Sequence, residues 1–117
     1  MPVVELNNVP PESFKHGATY QTLVGDDRGS TPIRVGVQVS PPGYSTGTHS
    51  HPYLEVVTVL DGEGEAWIGE DDPVAIGPGT TLVVPADTPH GFRALGREPL
   101  RTYGVHASAD RIVHRGD

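Results

Sequence analysis

The cleanest alternation in the chain runs from Ile33 to Val39, with Ile33, Val35, Val37 and Val39 on one side and Arg34, Gly36 and Gln38 on the other. Successive side chains of an extended strand leave opposite faces, so this period of two predicts a strand with one face turned to a core or a partner. The apolar run Leu54 to Leu60 predicts a second strand, and a β-branched run from Gly79 ends at Pro85. Shorter candidates follow at Glu65 to Ile68, Val74 to Ile76, Phe92 to Leu95 and Leu100 to His106. Val3 to Leu6 is expected as a short N-terminal strand stopped by Pro10-Pro11. Phe14 to Val24 is ambiguous, although Tyr20, Thr22 and Val24 alternate before the turn GDDRGS. Asp61-Gly62 with Glu63-Gly64 predicts a tight hairpin, Glu70-Asp71-Asp72-Pro73 another, and Pro41-Pro42-Gly43, Pro78-Gly79 and Gly96-Arg97-Glu98-Pro99 further turns. About nine to eleven short strands with closely spaced turns predict an all-β barrel or sandwich.

Composition narrows this. A chain of 117 residues has room for one domain, 1–117, around one modest core, and 15 Gly with 12 Pro argue against a helical bundle. The formal net charge of −7 disfavours nucleic acid and anionic membranes as partners. No apolar run approaches the roughly 20 residues that span a bilayer, and the start MPVVELNNVPPESF has no basic or apolar leader pattern. A cytoplasmic protein is therefore expected. The absence of cysteine excludes disulfides, thiolate metal sites and cysteine nucleophiles, leaving imidazole and carboxylate as metal ligands.

That chemistry is concentrated in GYSTGTHSHPYLEVVTVLDG, from Gly43 to Gly62. On an extended strand His49 and His51 project to one face, which makes half of a metal clamp. A straight strand would carry Glu55 roughly 13 Å past His51, so the chain must bend between them, and Pro52, which cannot donate to a ladder, is the expected place. A second stretch, GTTLVVPADTPHGFR from Gly79 to Arg93, ends its apolar run in a polar turn that delivers His90.

Together the two stretches resemble the paired motifs of the cupin family of small metal-binding β-barrels. The first motif is a Gly, five residues, His-x-His, three or four residues, Glu, six residues and Gly; Gly43, His49, His51, Glu55 and Gly62 fit every position. The second asks for Gly, five residues, Pro, one residue, Gly, two residues, His, three residues and Asn. Gly79, Pro85 and His90 fit, whereas Asp87 and Ala94 replace a Gly and an Asn. Asp tolerates the turn conformations that usually call for Gly, while Ala94 removes an amide from the local hydrogen bonding. The tail LRTYGVHASADRIV also resembles the end of small one-domain cupins. The resemblance implies a single jelly-roll barrel (a double-stranded β-helix, RmlC-like) holding one divalent metal through His49, His51, Glu55 and His90.

Three imidazoles and a carboxylate suit iron(II), manganese, nickel, cobalt, copper or zinc. Cupins with this ligand set include dioxygenases, decarboxylases, isomerases and lyases, so the leading expectation is an enzyme acting on a small oxygen-bearing organic molecule, with Glu55 also the candidate proton acceptor. The alternatives are a metal-dependent small-ligand-binding or sensor module without turnover, and a purely structural metal. His106 is expected as a buried structural histidine bonded to a carbonyl; His16 and His114 as solvated. Gln38, Tyr44, Tyr53, Trp67, Phe92, Arg93 and Tyr103 are candidates to shape a pocket. Asp26-Asp27 and Glu70-Asp71-Asp72 look like solvated turns, since neither run spaces its oxygens as a calcium site does. In small cupins the N-terminal strand often pairs with a partner subunit, so Val3 to Leu6 and the Ile33 to Val39 strand together suggest a homodimer.

Overall fold

The computed structural model describes residues 3–26 and 31–115. Among the described residues nine strands follow in order: β1 Glu12–Ser13, β2 Thr19–Val24, β3 Arg34–Ser40, β4 Glu55–Asp61, β5 Glu63–Ile68, β6 Val74–Ile76, β7 Thr81–Val84, β8 His90–Leu95 and β9 Leu100–His106. They form an antiparallel six-stranded sheet in the order β1-β2-β3-β9-β4-β7 and a three-stranded sheet in the order β6-β5-β8. This is the jelly-roll arrangement expected of the two motifs. Isolated bridges from Ser45 to Arg93 and from His49 to His90 lay the stretch before β4 along the free edge of β8. Among the described residues no helix is long and apolar enough to cross a membrane.

Period-two alternation places the same kinds of residue on the inward face of each sheet. β4 directs Glu55, Val57 and Val59 inward, β8 directs His90, Phe92 and Ala94, and β9 directs Leu100, Thr102 and His106. Val59, Ala66, Ile76, Ala94 and Leu100 pack into the core where the two sheets meet at one end, with Tyr44, Leu82 and Phe92 against them. The opposite face of the large sheet carries a row of valines in register, Val24, Val35, Val105, Val56 and Val83. Val24 and Val83 are 37% and 59% exposed.

Three expectations change. Val3 to Leu6 is not a strand: residues 3–5 have no regular structure, and Leu6–Asn8 form a 3-10 turn. The Gln21 amide spends its donors on the Leu6 and Val9 carbonyls, which folds this segment back onto β2. Asp61-Gly62 does not make a hairpin, because β4 is already paired on both sides by β7 and β9, so the chain crosses there into the other sheet. Gly62 has φ +88°, and a Cβ on it would stand 2.4 Å from the Pro99 carbonyl oxygen, so this crossing admits only glycine. On β3 the polar side of the alternation faces the interior: Arg34 is 2% exposed, bonded through Nε to the Ala109 carbonyl, and Gln38 lines the cavity. The Glu70 to Pro73 turn does join the antiparallel pair β5 and β6. Of the expected acidic turn Asp26-Asp27 and its neighbours, residues 27–30 lie outside the described residues.

Candidate metal centre

At the end of the barrel away from the core, His49, His51, Glu55 and His90 each turn a ligand atom to one place, all within 4.8 Å of one another. The bend at Pro52 falls where the spacing requires it: the bridge at His49–Ser50 ends, Pro52-Tyr53 turn, and β4 begins at Glu55. Asp87, at φ +61°, takes the left-handed conformation expected of the glycine it replaces, and its N–H donates to the His51 carbonyl at 2.7 Å. Ala94 keeps the two stretches joined through its backbone, donating to Tyr44 and accepting from Gly43, so no side-chain amide is needed for that contact. Gly91 has a steric role. A Cβ there would lie 2.4 Å from the Gly47 carbonyl oxygen and 2.5 Å from the Trp67 ring, so the missing side chain lets the His49 segment close on β8.

The orientation of each imidazole is set by its other nitrogen. His51 Nδ1 lies 2.7 Å from the Ile112 carbonyl oxygen, His90 Nδ1 2.9 Å from that of Thr88, and His49 Nδ1 3.3 Å from that of Gly47. A carbonyl only accepts, so each Nδ1 carries the proton and each Nε2 offers a lone pair to the shared point. His90 Nε2 then stands 2.8 Å from Glu55 Oε1, two lone-pair atoms that need a cation between them. His51 Nε2 is buried with no hydrogen-bond partner, 3.5 Å from the same oxygen. A metal ion answers both conditions: neighbouring N and O ligands at about 2.1 Å from one ion lie roughly 3 Å apart. The donor set therefore fits a divalent transition metal.

The electrostatics agree. Burial opposes charge on Glu55, yet His106 Nε2–H, and His51 and His90 when their rings are protonated in place of a bound cation, outweigh it and hold the carboxyl well below the usual carboxylate range. Burial, with the nearby His90, pushes His49 down to about 4. Burial also pulls His51 down, but the Glu55 carboxylate and the Ile112 carbonyl outweigh it and raise the ring's value. Glu55 thus stands ionised to hold a cation, and the same depression makes it a weak proton acceptor at neutral pH.

His106 is the residue whose role sequence reasoning misplaced. It does not bond a carbonyl; its Nε2 is 2.6 Å from Glu55 Oε2, and its Nδ1 is 3.4 Å from the Tyr53 hydroxyl. The available signal was its place on the inward face of β9, directly opposite Glu55, but that register is invisible without the sheet order. Of the other pocket candidates, Gln38, Tyr44, Tyr53, Trp67 and Phe92 line a cavity of about 180 Å³ that opens onto the cluster, together with Phe14, Tyr20, Arg34 and Arg111. Arg93 and Tyr103 do not line it: Arg93 pairs with Glu65 at 2.8 Å, and Tyr103 is 39% exposed on the outer face. His16 and His114 stand away from the cluster and are exposed, His114 bridging Ser50 through its backbone.

Comparison with known proteins agrees with this architecture. Residues 36–106 match the family described as Cupin domain. The chain is 34% identical over 95 residues to Protein SchB of Streptomyces halstedii, covering 80% of this chain and 68% of that protein. It is 32% identical over 101 residues to Polyketide synthase CurC of Streptomyces cyaneus, covering 85% and 64%. The chain thus spans about two thirds of the length of these relatives. Among solved structures, the polyketide cyclase RemF from Streptomyces resistomycificus superposes with a TM-score of 0.85 at 22% identity, covering 100% of this chain and 86% of that one. A predicted oxalate decarboxylase from Thermotoga maritima gives 0.80 at 23%, covering 90% and 97%.

Proposed function

The chain belongs to the cupin family, and from that premise we propose that it is a metal-dependent enzyme, a single domain over 1–117, that closes rings in a polyketide-type substrate. The observation that carries this reading is the convergence of three lone-pair imidazole nitrogens and one ionised carboxylate at the end of an aromatic-walled cavity. The relatives named for polyketide work supply the substrate class.

His49, His51, Glu55 and His90 would hold the ion. Bound there, the metal supplies Lewis acidity, withdrawing charge from substrate carbonyl oxygens. The protein's own residues do the rest. The rings of Tyr20, Tyr44 and Phe92 offer flat apolar walls for a chain folding toward an aromatic ring. Arg34 and Gln38 place polar groups along the same cavity for further oxygens. A carbon between two carbonyls is acidic, and Glu55 is the carboxylate the chain presents to the cavity; an oxygen released from the ligand cluster would take up that proton. The new C–C bond then forms at a second carbonyl, whose oxygen departs as water. Excluding bulk water from this cavity keeps the reactive chain from hydrolysis or uncontrolled folding.

The test is reconstitution of metal-free protein with each of iron(II), manganese, nickel, cobalt, copper and zinc. Each form is offered short poly-β-ketone analogues while ring formation, oxygen uptake and metal content are followed separately. Metal-dependent cyclisation lost in His90→Ala supports the reading. Oxygen consumption with iron(II) replaces it with an oxygenase, and tight binding without turnover replaces it with a ligand-binding module. We further propose that the protein is a cytoplasmic homodimer. Its contact is assigned to the valine row on the outer face of the large sheet, whose end members Val24 and Val83 are exposed while Val35 is buried, rather than to residues 3–6. A monomer by light scattering at tens of micromolar would exclude it.

A further inference from the structure

We propose that His106 is a positioning residue that restricts Glu55 to one coordinating oxygen and so keeps one more position on the ion open to substrate. The inference rests on the metal-centre reading above and adds to it. A carboxylate can bind an ion through one oxygen or both, and nothing in the residue type decides which. Here the two oxygens are divided: Oε1 faces His90 Nε2 at 2.8 Å and His51 Nε2 at 3.5 Å, whereas Oε2 is engaged by His106 Nε2 at 2.6 Å.

The strand register fixes the imidazole in that place. His106 stands directly opposite Glu55 across β4 and β9 and opposite Arg34 across β9 and β3, so the side chain leaves the middle of a three-strand row. Its proton is directed as well. The Ile112 N–H lies 3.4 Å from the Tyr53 hydroxyl oxygen, and that hydroxyl lies 3.4 Å from His106 Nδ1. A consistent set of donors follows: Ile112 N–H to Tyr53, Tyr53 O–H to His106 Nδ1, and His106 Nε2–H to Glu55 Oε2. All four contacts of the Tyr53 hydroxyl are long, those to His51 Nδ1 at 3.3 Å and to the Ile112 carbonyl oxygen at 3.5 Å included, so the short bond at Glu55 is the strong member. The Ile112 carbonyl meanwhile accepts from His51 Nδ1, so one residue of the C-terminal segment, through its N–H and its C=O, steadies two ligands.

Released from His106, Oε2 would swing onto the ion and displace a water. The experiment loads wild type, His106→Phe and His106→Gln with manganese(II). It measures affinity by titration and the number of exchangeable inner-sphere waters by water-proton relaxation. His106→Phe keeps the ring volume without the donor and should bind manganese with one water fewer than wild type. His106→Gln, which restores an N–H near the same place, should return the wild-type number. His106→Leu takes the place of the Phe variant if that one fails to fold. An unchanged water count in the donor-free variant overturns this inference and leaves the metal centre standing. Manganese binding that is absent in wild type, or indifferent to His90→Ala, overturns both.

Discussion

The two ends of the barrel are built on the same strands and do opposite things. β4 carries Glu55 at one end and Val59 at the other, β8 carries His90 and Ala94, and β9 carries His106 and Leu100, all facing inward. At the core end Val59, Ala66, Ala94 and Leu100 are no more than 1% exposed, and apolar burial stabilises the fold directly. At the metal end the same inward positions hold titratable groups around a cavity. Their desolvation works against the fold unless a cation joins them. A strand of six or seven residues can therefore carry a stabilising half and a functional half without changing its pleat. Substitutions at the two ends should separate stability from metal binding.

The largest expected effect is at the metal end. His90→Ala removes one of four ligands, and apparent metal affinity should fall by more than about a hundredfold, since loss of an outer-shell partner alone costs 10–100-fold. The metal-free protein should lose little thermal stability in exchange. Metal should raise the melting temperature of wild type and not of the variant, because ligands gathered from separate strands reward only the folded state. Titration calorimetry with thermal melts checks both halves. Metal binding that survives the substitution would break the comparison.

Leu100→Ala is the reciprocal change. Leu100 is fully buried against Gly64 and the core cluster, so its truncation should cost about 2–5 kcal/mol of folding free energy. Metal affinity per folded molecule should stay within about threefold of wild type, since the sites are distant enough to be additive. Denaturant melts of the metal-free protein give the first number and metal titration the second.

Gly91→Ala sharpens the boundary between the ends. Its methyl would meet the Gly47 carbonyl and the Trp67 ring, and relief requires moving the 44–50 segment off β8. Overpacking of this kind costs about 1–3 kcal/mol. Because His49 rides on that segment, metal affinity should fall with stability, unlike either substitution above. Paired calorimetry and melts would show it.

How much of this was legible in the sequence differs between the ends for a physical reason. The metal end is written in chemically rare residues at fixed spacings, so His49, His51, Glu55 and His90 could be named before any fold was known. The strands from Ile33 onward were legible from alternation at Ile33 to Val39 and from apolar runs between turns elsewhere, with bounds off by one residue at β3 and β4 and by two at the starts of β5 and β8. Sheet order was not legible, because alternation records which face a side chain takes and not which strand lies beside it. That is why Asp61-Gly62 read as a hairpin, and why His106 could not be set against Glu55. Val3 to Leu6 failed for another reason: β-branched residues favour a strand only when a neighbouring edge is free, and Gln21 takes up this segment's carbonyls instead.

The smallest effect expected is on the pH dependence of the metal-free protein, and its sign separates two histidines two residues apart on one extended stretch. His49 has its folded value lowered to about 4, against about 6.5 unfolded, so between those values the unfolded chain binds more protons. Its contribution to stability is present above about pH 6.5 and is lost as pH falls toward 4. His51 is shifted upward, so its contribution is fully present below about 6.5 and is lost as pH rises through its folded value. Glu55, held low, contributes above the unfolded carboxylate range and loses that contribution as pH falls through its folded value. In the metal-free protein His49→Ala should therefore flatten the stability profile between pH 4 and 6.5, whereas His51→Ala should flatten it above 6.5. Melts in chelator across that range, compared with wild type, give the two slopes. Identical profiles for the two variants would mean that the neighbours share one environment, and the division between a desolvated His49 and a carboxylate-paired His51 would be lost.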